Sequence, residues 1–180
     1  SDALTVAVNR NVAGDISVET LKAGGTLTNS GNITATGNIG LKAKGNVTTT
    51  ATVTANESVT LTSTDAAITT NGIVTAEKGN IEATAQGNVT TNGALTAGND
   101  VALTSTNGFL ETNGNISATA GIIAIEAGSL MRQTSGTKFT AGKDVTLTST
   151  GNSSQEYSKS IQQYGTIDAE GNIILKAVKR

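Results

Sequence analysis

The chain has 180 residues, a net charge of −2, no His, Cys, Pro or Trp, and only 2% aromatic residues. Without His or Cys, nucleophile–base catalysis through imidazole or thiolate, thiolate–imidazole zinc sites and disulfide stapling are all excluded. The near-neutral charge gives no footprint for nucleic acid, and no run of 18 apolar residues offers a membrane-spanning helix.

The first element is the alternating stretch Leu4-Thr5-Val6-Ala7-Val8. From there the sequence repeats. Ile39, Val59, Ile81, Val101, Ile123 and Val145 are spaced by 20, 22, 20, 22 and 22 residues, and most open an apolar–x–apolar–x–small phrase such as Val59-Thr60-Leu61-Thr62-Ser63. A second apolar position recurs at Val47, Ile68, Val89 and Leu110. A third recurs at Ile33, Val53, Val74, Leu95, Ile116, Phe139 and Ile167, each followed two residues later by Ala. The residue between is Thr34, Thr54, Thr75, Thr96, Ser117, Thr140 or Asp168. A period of two puts those polar residues on one face and the apolar and Ala residues on the other.

Thr, Val, Ile and Gly disfavour helix, and β-branched residues suit a half-buried pleated surface. The breaks carry Asn71-Gly72, Asn92-Gly93, Asn113-Gly114, Gly45-Asn46 and Gly87-Asn88, read as tight turns that use the tolerance of Gly and Asn for positive φ. A fixed period near 21 means a solenoid. The pattern predicts an all-β fold: a right-handed parallel β-helix of about seven coils of 20–22 residues, with three short strands per coil, forming a rod about 35 Å long. An antiparallel sandwich would not need to match itself at a constant spacing.

The Asn71, Asn92 and Asn113 series is expected to form a hydrogen-bonded ladder between coils. Asp100 and Asp144 share a repeat position two coils apart, roughly 10 Å, which is too far to share a proton or a metal directly. They are read as turn residues bonding nearby backbone N–H groups. The three arginines, Arg10, Arg132 and Arg180, lie far apart, which argues against a polysaccharide-cleaving cleft. No catalytic, metal or cofactor site is expected. Thr60/Thr62 and Thr146/Thr148 suggest an ice-binding array, but Lys42, Glu82 and Glu126 interrupt it.

One coil is irregular. The gap from Phe139 to Ile167 is 28, and the extra residues fall in 151–165, read as an irregular insertion loop. Both tyrosines are there. Insertions in solenoids map to loops on one face, often the binding face. The candidate partner contacts are Tyr157, Lys159, Gln162, Gln163 and Tyr164, against the alternative that these residues only cover an apolar edge. Arg132, Lys138, Lys143 and Lys159 could add a small basic patch. The chain closes on Ile173-Ile174-Leu175-Lys176-Ala177, the start of another coil. Neither end reads as a cap, so residues 1–180 are expected to be one β-helix segment of a longer shaft.

Ala97-Gly98-Asn99-Asp100-Val101-Ala102-Leu103-Thr104 and Ala141-Gly142-Lys143-Asp144-Val145-Thr146-Leu147-Thr148 resemble the A-G-x-D-V-x-L-T phrase of filamentous haemagglutinin repeats, and the resemblance runs from about Ile16 to Ala177. Such repeats build very large exoproteins of Gram-negative bacteria that leave by two-partner secretion. They serve as adhesins or as stalks of contact-dependent growth-inhibition toxins. The resemblance implies a right-handed parallel β-helix and a secreted, cell-surface location. It also implies an outer-membrane transporter during secretion, and a host-cell or bacterial-cell receptor, protein or glycan, for the parent protein. It transfers no binding residue, because shaft motifs are structural.

Overall fold

In the computed structural model, residues 2–151 and 160–178 are described. Every regular element among them is a β-strand. The strands form three parallel sheets of eight, and each sheet takes every third strand in order. One turn runs Val47–Thr49, Val53–Ala55 and Val59–Ser63, after which the chain returns to the first sheet at Ile68–Thr70. Each strand therefore pairs with its own copy one coil earlier and one coil later, as Val74 does with Val53 and Leu95. This is the three-strand-per-coil parallel β-helix that the spacing predicts, and seven steps separate Ile16 from Ile173 in the third sheet.

Alternation decides which side chains go inside. In Val74-Thr75-Ala76 the Val and Ala are buried and the Thr is half-exposed. The same holds along the second sheet, where the inner rows are Ile33, Val53, Val74, Leu95, Ile116 and Phe139 beside Ala35, Ala55, Ala76, Ala97, Ala118 and Ala141, all at most 3% exposed. Each aliphatic side chain taken fully out of water contributes about 1.5–3 kcal/mol. Aligned β-branched rows on neighbouring strands interlock along the axis. The first coil departs from the pattern: Arg10 is in register with Ile33, so a charged residue occupies the position that is apolar in every later coil.

The alternating spacing of 20 and 22 has a structural cause. The corner from the third sheet back to the first takes one of two forms. After Ala43 or Ala85 the next inner residue, Val47 or Val89, follows by four positions; after Ser63 or Ser105, Ile68 or Leu110 follows by five. The serine compensates for the longer corner, because Ser63 Oγ donates to Gly45 O (2.8 Å) and Ser105 Oγ to Gly87 O (2.7 Å) in the coil before. A second residue is absorbed between the second and third sheets, where Ile81 follows Val74 by seven positions but Val59 follows Val53 by six.

Two readings of the sequence are corrected. The Asn-Gly corners do not use positive φ. Among the described residues only Gly14, Gly24, Gly136 and Gly151 adopt it. Gly72, Gly93 and Gly114 are needed because the coils approach closely: a Cβ on Gly93 would press on the carbonyl oxygen of Gly72, and one on Gly114 on that of Gly93. The stretch 151–165 is not loop throughout. Ile161–Gln163 is a strand of the first sheet, paired in register with Met131–Gln133.

At the two ends the inner rows are left uncovered. Leu4 is 40% exposed, Ile173 50% and Leu175 51%. A concavity of about 500 Å³ at the N-terminal end, lined by Leu4, Val6, Val12, Ile16 and Val18 over Ile33, is this uncovered core.

Gly93→Ala is expected to destabilise by about 1–3 kcal/mol, since the added methyl meets backbone that cannot swing away. Gly40→Ala, which meets nothing within 4 Å, should stay within about 0.5 kcal/mol of the parent. Denaturant melts of both variants check the contrast. The open ends should also make the isolated 180-residue chain self-associate as concentration rises, and a strict monomer in sedimentation at high concentration would contradict this.

Candidate functional site

The corners are organised by side chains that reach one coil along the axis. In the row just before each third-sheet strand, the side-chain oxygen of one residue accepts the backbone N–H of its equivalent in the next coil. Asn38 N donates to Asp15 Oδ1 (2.6 Å), Ser58 N to Asn38 Oδ1 (3.1 Å), Asn80 N to Ser58 Oγ (3.1 Å) and Asp100 N to Asn80 Oδ1 (3.1 Å). Ile122 N then donates to Asp100 Oδ1 (2.9 Å); Ile122 has no acceptor to offer, and the row resumes with Asn172 N on Asp144 Oδ1 (2.6 Å). Asp100 and Asp144 are thus acceptors for backbone N–H groups, as expected of them. The N–H belongs to the next coil, however, and not to the residue's own turn.

A second ladder runs on the corner between the first and second sheets. Asn92 Nδ2 donates to Asn71 Oδ1 (2.7 Å) and Asn113 Nδ2 to Asn92 Oδ1 (2.8 Å). This is the asparagine ladder that the repeat implies. On the third corner Asn46 and Asn88 act as the first row does, accepting backbone N–H groups from Ala67 (3.1 Å) and Phe109 (3.0 Å) of the next coil. These residues are committed to the coil before or after them, through backbone N–H groups or one another's amides, and do not converge into a reaction centre. Among the described residues no group of three or more His, Cys, Asp or Glu could hold a metal ion.

Of the five candidate contact residues, Tyr157 and Lys159 lie outside the described residues. Gln162 is in register with Arg132 on the outward row of the first sheet. Gln163 is in register with the fully buried Gln133, and its Nε2 donates to Gly165 O. It therefore continues an inner row and does not belong to an outward contact face. Tyr164 is anchored by its N–H to Gln133 O (3.0 Å) and is 62% exposed. The structure thus brings Gln162 and Tyr164 to the surface beside Arg132.

Arg132 is not a free cation. It meets Glu111 Oε1 at 2.8 Å. The hydrogen bond to Glu111 and the charge of that carboxylate raise the guanidinium above its already high ordinary pKa, with Tyr164 adding to the effect. Lys138 is paired with Asp168 at 2.8 Å on the second sheet. Arg132 and Lys138 are thus paired on different sheets and Lys143 sits at a corner, so these three do not form one patch; Lys159 lies outside the described residues. Glu111 and Asp168 were the missed partners. The signal for both was the register, since Glu111 stands one coil below Arg132 and Lys138 pairs with Thr166, two residues before Asp168.

Comparison with family models, with curated proteins and with solved structures finds no match.

If Asp100 acts through its oxygen as an acceptor and not through its charge, Asp100→Ala should destabilise by about 0.5–1.5 kcal/mol and Asp100→Asn by less than half as much. Melting both variants in urea separates the two roles.

Proposed function

We propose that this chain is a rigid shaft segment of a large secreted exoprotein on the surface of a Gram-negative bacterium, of the filamentous haemagglutinin type, and that its work is mechanical. The shaft projects a distal adhesive or toxic element away from the cell, having crossed the outer membrane through a dedicated transporter. It catalyses nothing and inserts in no membrane.

The observation that carries this reading is the unbroken register of the three sheets. Each inner strand of every sheet is bonded to its copies above and below, and each end strand to the one copy beside it, so load along the axis is shared by all three ladders. The corner residues that most resemble catalytic groups, Asp15, Asp100 and Asp144, are occupied in holding coils together. The Ala-Gly-x-Asp-Val-x-Leu-Thr phrases at 97–104 and 141–148 support the family.

A second reading has one observation in its favour. Tyr164 presents an exposed ring beside Gln162 and the Glu111–Arg132 pair, a composition suited to contact with a protein or glycan receptor. Tyr164→Ala tests it, because position 164 is anchored through its backbone N–H to Gln133 O and loses only the exposed ring. The intact chain and the Tyr164→Ala variant, both shown to be folded by circular dichroism, are applied to epithelial and bacterial cells. A passive shaft binds neither cell type in either form. Binding by the intact chain that disappears in the variant would replace the shaft reading with a contact module at this coil.

A further inference from the structure

One inner row of the helix is polar. At the end of the six inner strands of the first sheet the inward residue is Asn29, Thr49, Thr70, Thr91, Thr112 or Gln133, stacked in register and at most 1% exposed. The other inner rows are mostly aliphatic, or carry serines bonded to backbone carbonyls. Here the hydroxyls of Thr49, Thr70 and Thr91 have no protein partner, and neither do Asn29 Nδ2, Asn29 Oδ1 and Gln133 Oε1. So many orphaned polar atoms in one line run against the rule that buried polar groups are paired.

The hydroxyls cannot satisfy one another. Equivalent atoms on successive coils are about 4.8 Å apart, too far for a direct hydrogen bond. Only Thr112 finds an acceptor, Arg132 O in the coil above, at 3.4 Å. A single bridging oxygen fits the gap: two hydrogen bonds of about 2.8 Å meeting at roughly 118° span 4.8 Å. The row accommodates a larger polar side chain at its start. Asn29, one heavy atom larger than Thr, sits in it at 0% exposure with a corner of the usual length, since Ile33 follows Leu27 by six positions as Val53 follows Val47.

We propose that this corner holds a file of single water molecules, one between each pair of successive coils from Asn29 to Thr91. Each water bridges the hydroxyl or carboxamide below to the hydroxyl above. Asn29 closes the file at one end with an amide that can donate and accept. At the other end Thr112 turns away to a carbonyl. The row is then an internal hydrogen-bond chain parallel to the helix axis, which explains why threonine recurs where valine would fill the same volume.

The test combines crystallography of the 180-residue chain at a resolution that shows ordered water with thermal melting of variants. Valine matches threonine in shape, so Thr49→Val/Thr70→Val/Thr91→Val removes only the hydroxyls. The expected result is one density peak per coil within about 3.2 Å of each Oγ1, with Tm lowered by several degrees in the triple variant and in the same direction in Thr70→Val. Thr70→Ser, which keeps the hydroxyl, should retain its peak. A corner free of density, with a valine triple variant that melts at or above the parent temperature, would overturn the proposal.

Discussion

Everything in this molecule depends on each strand having only its own copies as hydrogen-bonding partners. A parallel strand needs a neighbour in register on each side, and here the neighbour is the same repeat position one coil away. Parallel pairing with a constant register stacks like on like, so every side chain touches its equivalents along the axis. Leu61 lies against Leu41 and Ala83 in one inner row, while Thr62 lies between Lys42 and Thr84 on the outer face. A residue type that stacks well is rewarded once per coil, and one that stacks badly is penalised as often. Proline, which has no N–H to give to a ladder, is absent.

The same constraint explains the corners. Once the strands are paired, the N–H groups at these bends face the bend of the preceding coil, and a short side chain with an oxygen is the simplest way to meet them. Asp15, Asn38, Ser58, Asn80 and Asp100 form such a series although their chemistry differs. What they share is an oxygen two or three bonds from the backbone. The position does not require a charge, since Asn38, Ser58 and Asn80 fill it without one. An acidic residue at a repeat position in this fold is thus poor grounds for assigning catalysis, and the shaft reading is supported by Asp15, Asp100 and Asp144 being bonded between coils.

The sequence shows the inner and outer rows directly, because a period of two within strands and a period near 21 between them leave only one way to bury the apolar residues. It shows the Asn71–Asn92–Asn113 ladder for the same reason. It hides the strand at Ile161–Gln163, since the long approach from Val145 displaces that strand from its expected spacing and its residues are two glutamines and one isoleucine. Gln163 reads as a surface residue by its chemistry, and only its register with Gln133 places it on an inner row. Arg10 is similarly invisible: nothing in Asn9-Arg10-Asn11 announces that it stands over Ile33.

The amino-acid sequence by itself determines the fold class, the period, and which residues face in or out, because these follow from local alternation repeated at a constant interval. Tertiary structure decides what happens between coils. It pairs Arg132 with Glu111, sets Ser63 on the carbonyl of Gly45, and requires Gly93 for a close approach to Gly72 instead of for a positive φ. It also leaves one inner row of threonines without protein partners. The physical reason is distance along the chain. These contacts join residues about 20 apart, and which atoms meet depends on how the corners absorb an extra residue here and there. Only closing the coil in three dimensions fixes that.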